Sequence, residues 1–195
     1  MAHKYLYCIL LLFCLSCEDT YTPKPKGYFK IIYPEKKYVT FNQPGYPYSF
    51  EYPAYGKVIK DSTFFDTIAE NPYWVNIDFP EFSARIHLSY KSIDKKEQTS
   101  LLIQDAFKMT GKHSIKASYI DEIQVHEGPD KNGFIFDVGG NAATGKQFYL
   151  TDSIRHFIRG ALYFEATPNF DSIRPSELFL YKDMQHMIKT LKWKN

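Results

Sequence analysis

The sequence predicts an α+β domain: an antiparallel β-sheet with a mid-chain helix and a C-terminal helix packed on it. Three observations lead there. Aromatic residues make up 17% of the 195 residues, a share that suits half-buried pleated surfaces. Two consecutive segments alternate apolar and polar side chains with period two. Four further strand-like runs follow one another with short connections, so neighbours in sequence are read as antiparallel neighbours in space.

The chain opens on an export signal. Residues 6–15 are an apolar run of ten behind Lys4. That is too short for a membrane helix and right for the core of a signal peptide. It ends at Leu15-Ser16-Cys17, and a small residue before Cys at this point resembles a bacterial lipobox. Residues 1–16 are therefore read as a lipoprotein signal and Cys17 as the lipidated residue. Cys14 and Leu15 stand where a typical lipobox has Leu and a small residue. A conventional signal peptide, or a lone thiol at Cys17, are the alternatives. The cysteine arithmetic favours lipidation, because Cys8, Cys14 and Cys17 are the only three. Cleavage before Cys17 removes two and consumes the third, leaving a core with no disulfide. Two or more acyl chains hold a protein durably where one does not.

A tether follows. Residues 18–27 are polar, with Pro23 and Pro25 and no apolar period. At about 3.1 Å per residue such a segment reaches roughly 30 Å. Residues 28–195 are read as one domain. The formal net charge of +2 excludes the basic excess typical of nucleic-acid binders. Elsewhere no run of 18 apolar residues is present to span a bilayer.

Within the domain, residues 44–56 are punctuated by Pro44, Gly45, Pro47, Pro53 and Gly56, so strands there are short or at an edge. Their tyrosines are read as packed aromatic loops in preference to a docking surface. In 73–79 the apolar side is Tyr73, Val75, Ile77 and Phe79. In 82–90 it is Phe82, Ala84, Ile86, Leu88 and Tyr90, with Arg85 and His87 facing away. The two form a strand pair around Pro80-Glu81. A helix follows, capped by Thr99 or Ser100, with Leu102, Ala106, Met109 and His113 at helical spacing and Gly111 at its frayed end. The four later runs are 120–126, 134–138, 147–151 and 157–166. Asn132-Gly133 is read as the hairpin turn between the first two. The last run is apolar on both faces and is read as a central strand. Pro175 and Glu177 suit the first turn of the closing helix, and Leu180, Met184, Met187, Ile188 and Leu191 form its apolar stripe. The element order resembles the small sheet-and-helix sandwiches of the PsbP type, which is a likeness of fold and carries no function.

Three constellations invite chemistry. Gly140 to Lys146 fits G-x-x-x-x-G-K, but Gln147 replaces the Ser or Thr that magnesium needs, and a strand follows where a helix should. The stretch is read as a flexible hairpin loop, and Gly139, Gly140, Asn141, Gly145 and Lys146 as a contact loop. Asp152-Ser153 with His156 invites a hydrolase reading, yet the nucleophile elbow G-x-S-x-G is missing and a turn explains the residues better. Asp183 and His186 share a helix face without a metal-binding pattern, and no carboxylate pair is placed for acid–base work. No catalytic residue, metal or cofactor is expected.

At the family level the chain resembles the gliding-motility lipoproteins of Bacteroidetes, the GldD type. The likeness runs from Cys17 nearly to the end. It is carried by the tether Tyr21-Thr22-Pro23-Lys24-Pro25-Lys26-Gly27-Tyr28-Phe29, by Ala84-Arg85-Ile86-His87-Leu88-Ser89-Tyr90-Lys91, and by Lys112-His113-Ser114-Ile115-Lys116-Ala117. Gly140-Asn141-Ala142-Ala143, the stretch from Gln147-Phe148 through Thr151-Asp152-Ser153, His156-Phe157-Ile158-Arg159-Gly160-Ala161-Leu162-Tyr163-Phe164 and Leu191-Lys192-Trp193 add to it. The resemblance implies a non-enzymatic lipoprotein of the cell envelope, needed for gliding and tied to type IX secretion. Its partners would be other proteins of that machinery, its place the outer membrane facing the periplasm, and Cys17 its lipidation site. The alternative is a periplasmic module that binds cell-wall glycan or a small ligand.

Overall fold

The computed structural model describes residues 27, 30–60, 63–64, 67–68 and 71–194. The signal, Cys17 and nearly all of the tether lie outside the described residues. Ile32–Asn195 forms one compact unit, which holds the folded domain.

That unit contains β1 (Tyr38–Phe41), β2 (Tyr48–Pro53), β3 (Lys57–Lys60), the two-residue strands β4 (Thr63–Phe64) and β5 (Thr67–Ile68), β6 (Val75–Phe79), β7 (Ala84–Ser92) and α1 (Lys96–Gly111). It continues with β8 (Ala117–His126), β9 (Asn132–Gly140), β10 (Lys146–Thr151), β11 (His156–Phe164), α2 (Phe170–Thr190) and β12 (Lys192–Trp193). Seven strands form one antiparallel sheet in the order β3-β6-β7-β11-β10-β9-β8. β1, β2 and β12 form a three-stranded antiparallel sheet with β2 in the middle. The domain is thus α+β, as the alternation and the short connections predict. β11 lies at the centre of the large sheet and is nearly buried throughout, which explains why it reads apolar on both faces.

The period-two pattern sorts side chains to two faces. On one face α1 packs Leu102, Ile103, Ala106 and Phe107 against Phe136, Val138, Tyr149 and Phe157. On the other, α2 and the small sheet pack Leu180, Met184, Met187, Ile188, Tyr48 and Phe50 against Ile77, Ile86, Leu88, Phe148, Leu150, Ile158 and Leu162. Phe148, Tyr149 and Leu150 go to alternate faces in turn. Arg85 and His87 face away from the α2 side. Arg85 makes a two-pronged ion pair with Asp78, at 2.5 and 2.9 Å, across the β6–β7 register. The His87 ring meets Tyr163 edge-on.

Four expectations need correction. Asn132 and Gly133 are not a turn; they begin β9. The turn lies earlier, at Gly128 with φ +84°, closed by a bond from the Glu127 N–H to the Lys131 carbonyl. Gly133 serves close packing instead: a Cβ there would sit 1.9 Å from the Tyr149 carbonyl oxygen of β10. The first cap is not Thr99 or Ser100 but Lys95, with the Gln98 side chain accepting from its backbone N–H at 3.2 Å; Thr99 is buried inside α1. Met109 is exposed, so the buried stripe of α1 runs through Phe107 and Thr110. Pro175 is interior to α2, which starts at Phe170 behind an Asn169 cap whose side chain accepts from the Ser172 N–H. Glu177 is consequently a buried mid-helix residue, not an exposed partner of the helix dipole.

Candidate functional site

The loop between β9 and β10 carries the residues singled out as a contact loop. Gly140 takes φ +92°, a conformation that favours glycine. Gly139 is buried, and a Cβ on it would lie 2.0 Å from the Tyr119 ring. The loop is pinned rather than loose. The Val138 N–H donates to the Gly145 carbonyl at 2.8 Å, and the Thr144 hydroxyl to the Leu162 carbonyl at 2.7 Å. Asn141 Oδ1 accepts from the Phe170 N–H at 2.9 Å and so helps to cap α2. Of the five residues, only Asn141 is exposed.

Lys146 is not a phosphate ligand. Its side chain is fully buried on the α2 face of the sheet, in phase with Phe148 and Leu150. Its ammonium bonds to Asp137, its register partner on β9, and lies 3.8 Å from Glu177 Oε2 of α2 and 5.1 Å from the centre of the Tyr181 ring. Gly145 lets Glu177 come this close: a Cβ there would sit 1.7 Å from Glu177 Oε1. The space at the loop mouth, bordered by Ala142, Asn169 and Arg174, is about 20 Å³, room for one water and not for a nucleotide.

Burial pushes the Glu177 carboxyl above its ordinary value; Asp137 adds to this, while Lys146 and Arg174 oppose it. Its Oε2 has no hydrogen-bond partner among the described residues. The sign of the pH effect follows. The folded state holds the Glu177 proton more tightly than the unfolded chain, so this group's stabilisation is complete below the unfolded value of 4.5 and is lost as pH rises through the folded one. Glu177→Gln should abolish that loss. In urea unfolding, the stability of the variant relative to wild type is expected to rise from about pH 4 to about pH 7. A difference that is flat or falls with pH would contradict it.

The Asp152, Ser153 and His156 group forms a turn, as the sequence suggests. Asp152 Oδ1 accepts from the backbone N–H groups of Ile154, Arg155 and His156 at 2.8–2.9 Å. Burial pushes its carboxyl up, the three donors pull it down, and the net is downward. Ser153 is exposed at φ +64°. The hydroxyl of Tyr90, not of Ser153, meets His156 Nδ1, at 2.8 Å.

Asp183 and His186 do share a face of α2, and Tyr38 touches both. Buried Asp183 takes Lys36 Nζ at 2.6 Å and the Tyr38 hydroxyl at 2.9 Å on Oδ1, and the Tyr55 hydroxyl on Oδ2. His186 Nε2 lies 2.6 Å from Glu51 Oε2, and its ring stacks on Tyr38 with 3.6 Å between centroids. Among the described residues no group of three or more His, Cys, Asp or Glu is placed to hold a metal. No helix among them is long and apolar enough to cross a membrane.

The sequence reading named Lys146 and Asp183 but missed what they do, and it missed Asp137 and Lys36 altogether. A signal existed for part of this. Lys146 precedes Phe148 and Leu150 by two and four residues, Asp137 follows Ile135 by two, and Glu177 and Asp183 fall on the Leu180 and Met187 stripe. Charged residues in phase with a core stripe mark buried ion clusters.

Comparison with curated proteins gives no match. The family comparison is decisive, since the model of the gliding motility lipoprotein GldD matches residues 18–193, all but the last two residues of the folded unit included. The chain belongs to the GldD family of gliding motility lipoproteins.

Proposed function

We propose that this protein is a lipid-anchored, non-enzymatic accessory of the gliding and type IX secretion apparatus. It is held through Cys17 to the periplasmic side of the outer membrane and acts by contacts with other envelope proteins. The observation that carries this reading is the family match over residues 18–193, which implies a role in gliding motility and a lipid-anchored place in the envelope. The short apolar run ending at Cys17 supports the anchor. The residues that would invite catalysis are used by the fold itself. Lys146 is spent between Asp137 and Glu177, Asp152 closes a turn, and His156 is tied to Tyr90. The exposed tip of the β9–β10 loop, Asn141 and Ala143, is the contact surface we assign on this side.

The test is a deletion in the native host, complemented by wild type, Cys17→Ala and Ser153→Ala, scoring colony spreading and secreted protein together. The deletion is expected to lose both. Wild type and Ser153→Ala should restore them, and Cys17→Ala should not, although the protein accumulates. Failure of Ser153→Ala with normal protein levels would revive a hydrolase. Full rescue by Cys17→Ala would remove the anchor, and an unimpaired deletion would remove the role itself.

A further inference from the structure

A second concavity, with an apolar lining and polar groups on its rim, lies beside the β10–β11 turn and shares no residue with the Lys146 cluster. It is a groove of about 420 Å³ in which Pro47 and Ile93 lie beside Tyr90, Ser92, Asp94, Arg155, His156 and Lys194. Its floor is built. The His156 ring is 7% exposed, stacks flat on Trp193 at 5.0 Å between centroids, and is fixed at Nδ1 by the Tyr90 hydroxyl at 2.8 Å. Trp193 is held in turn by a bond from its Nε1–H to the Asp130 carbonyl.

The hydrogen-bond arithmetic fixes the tautomer. Among the described residues, His156 Nδ1 is the one acceptor the Tyr90 hydroxyl has. Tyr90 is pushed up to about 12, by burial first, so its hydroxyl keeps its proton and donates. Burial pushes His156 down, so its ring is neutral at pH 7. Nδ1 therefore accepts and Nε2 carries the hydrogen, with no partner among the described residues. Around it stand further donors. The Arg155 guanidinium meets no acid among the described residues. The Lys194 ammonium spends one hydrogen on the Gln43 carbonyl and has two left. Ser92 adds a hydroxyl.

We propose that this groove binds a small ligand through a carboxylate or phosphate group, with Arg155 and Lys194 as its charge partners and His156 Nε2–H as its fixed donor. A set made of donors, two of them cationic, is complementary to an oxyanion. Asp94 is the carboxylate in the lining and works against the ligand, as does Asp152, whose charge reaches His156 and Tyr90 although its Oδ1 is spent on three backbone donors. The groove has room for more than the anion, so the oxyanion is the anchor and the rest of the ligand fills the space over Tyr90. The inference is independent of the lipid anchor and of the contact loop.

The test is calorimetric titration of the purified full chain, at constant ionic strength, with inorganic phosphate, N-acetylmuramic acid and N-acetylglucosamine. Saturable binding is expected for phosphate, for the acidic sugar, or for both, and none for the neutral sugar. Phosphate alone assigns a phosphorylated ligand, and the acidic sugar alone a carboxylated one. Arg155→Ala with Lys194→Ala should weaken binding about tenfold or more, and Asp94→Asn should tighten it. All three positions are at the surface or half-buried, so the variants keep their fold, which thermal unfolding would verify. No saturable binding of either anion, affinity unchanged in the double variant, or equal binding of the neutral sugar would each overturn the proposal.

Discussion

Replacing Lys146 with alanine will unfold the protein about 10 °C earlier. The ammonium is fully buried between Asp137 and Glu177, whose side chains are 22% and 6% exposed. Removing it leaves two carboxylates facing each other under α2, together with the cavity of the lost side chain. Breaking a buried ion cluster from one side costs roughly 3–5 kcal/mol. In a domain of this size that is on the order of 10 °C. Lys146→Met refills the cavity but leaves the carboxylates unpaired, so most of the loss should remain. Adding Asp137→Asn and Glu177→Gln to Lys146→Met should recover much of it, because a neutral, well-packed replacement of a buried ion cluster is often close to neutral. Thermal and urea unfolding of the set would decide. A Lys146→Ala protein within about 1 kcal/mol of wild type would mean that water reaches the cluster and that Lys146 is free for another role. Spreading by cells carrying these variants should follow their stability.

The Lys146 case also shows how far the sequence could be read. The G-x-x-x-x-G-K spacing is a local pattern, and what defeats it is tertiary: Glu177 enters from α2, thirty-one positions on, and takes the space a phosphate would need. Asn132-Gly133 fails for the same reason. The dipeptide is a good turn by its own preferences, but strand β10 passes so close to residue 133 that only glycine fits in the ladder. Where burial itself writes the pattern, the reading succeeds. The alternation from Val75 to Tyr90 exists because one face of β6 and β7 is covered, and the unbroken apolar run of β11 exists because both of its faces are. Pro175 lies between. Proline prefers a first turn, but the Asn169 cap and Asp171 start the helix one turn and a half earlier, and the fold tolerates the lost hydrogen bond. The small sheet was hidden because β1 has four residues and β12 two, too few to show a period. Of the His156 groove the sequence offered a histidine beside an Asx turn and nothing more, since Trp193 and Lys194 arrive from the far end of the chain.

Asp183→Ala is expected to cost as much as any substitution in the protein, again roughly 3–5 kcal/mol, read as a fall of about 10 °C in thermal unfolding. The carboxylate is 1% exposed and gathers three donors. Lys36 reaches it from the segment before β1, Tyr38 from β1, and Tyr55 from the turn after β2. Lys36 has further contacts, at 3.1 Å to the Phe179 carbonyl and 3.8 Å above the Phe179 ring. Burial, then Asp183, pushes Tyr38 up to about 12, and the same causes push Tyr55 up, so both hydroxyls keep their protons to donate. Taking the acceptor away leaves two phenols without it and the Lys36 ammonium with the Phe179 carbonyl, whereas Tyr38→Phe or Tyr55→Phe removes one bond each and should cost about 1 kcal/mol. Asp183→Asn keeps the shape but loses the charge, and should fall between. The donors act as a unit, so Lys36→Met combined with Asp183→Ala should cost less than the two changes added together, a coupling of 0.5 kcal/mol or more. Additive costs would mean that Lys36 is held by Phe179 and not by Asp183. The cluster matters to the proposed anchor as well. It fastens the residues that lead into β1 to the long C-terminal helix, so a pull applied at the N-terminus meets this lock before it meets the sheet. Asp183→Ala should therefore lower the force needed to detach residues 32–41 in single-molecule pulling from the N-terminus. Pulling between residues inside the seven-stranded sheet should show a smaller change. An equal loss in both geometries would mean that Asp183 stabilises the domain as a whole and does not guard its N-terminal entry.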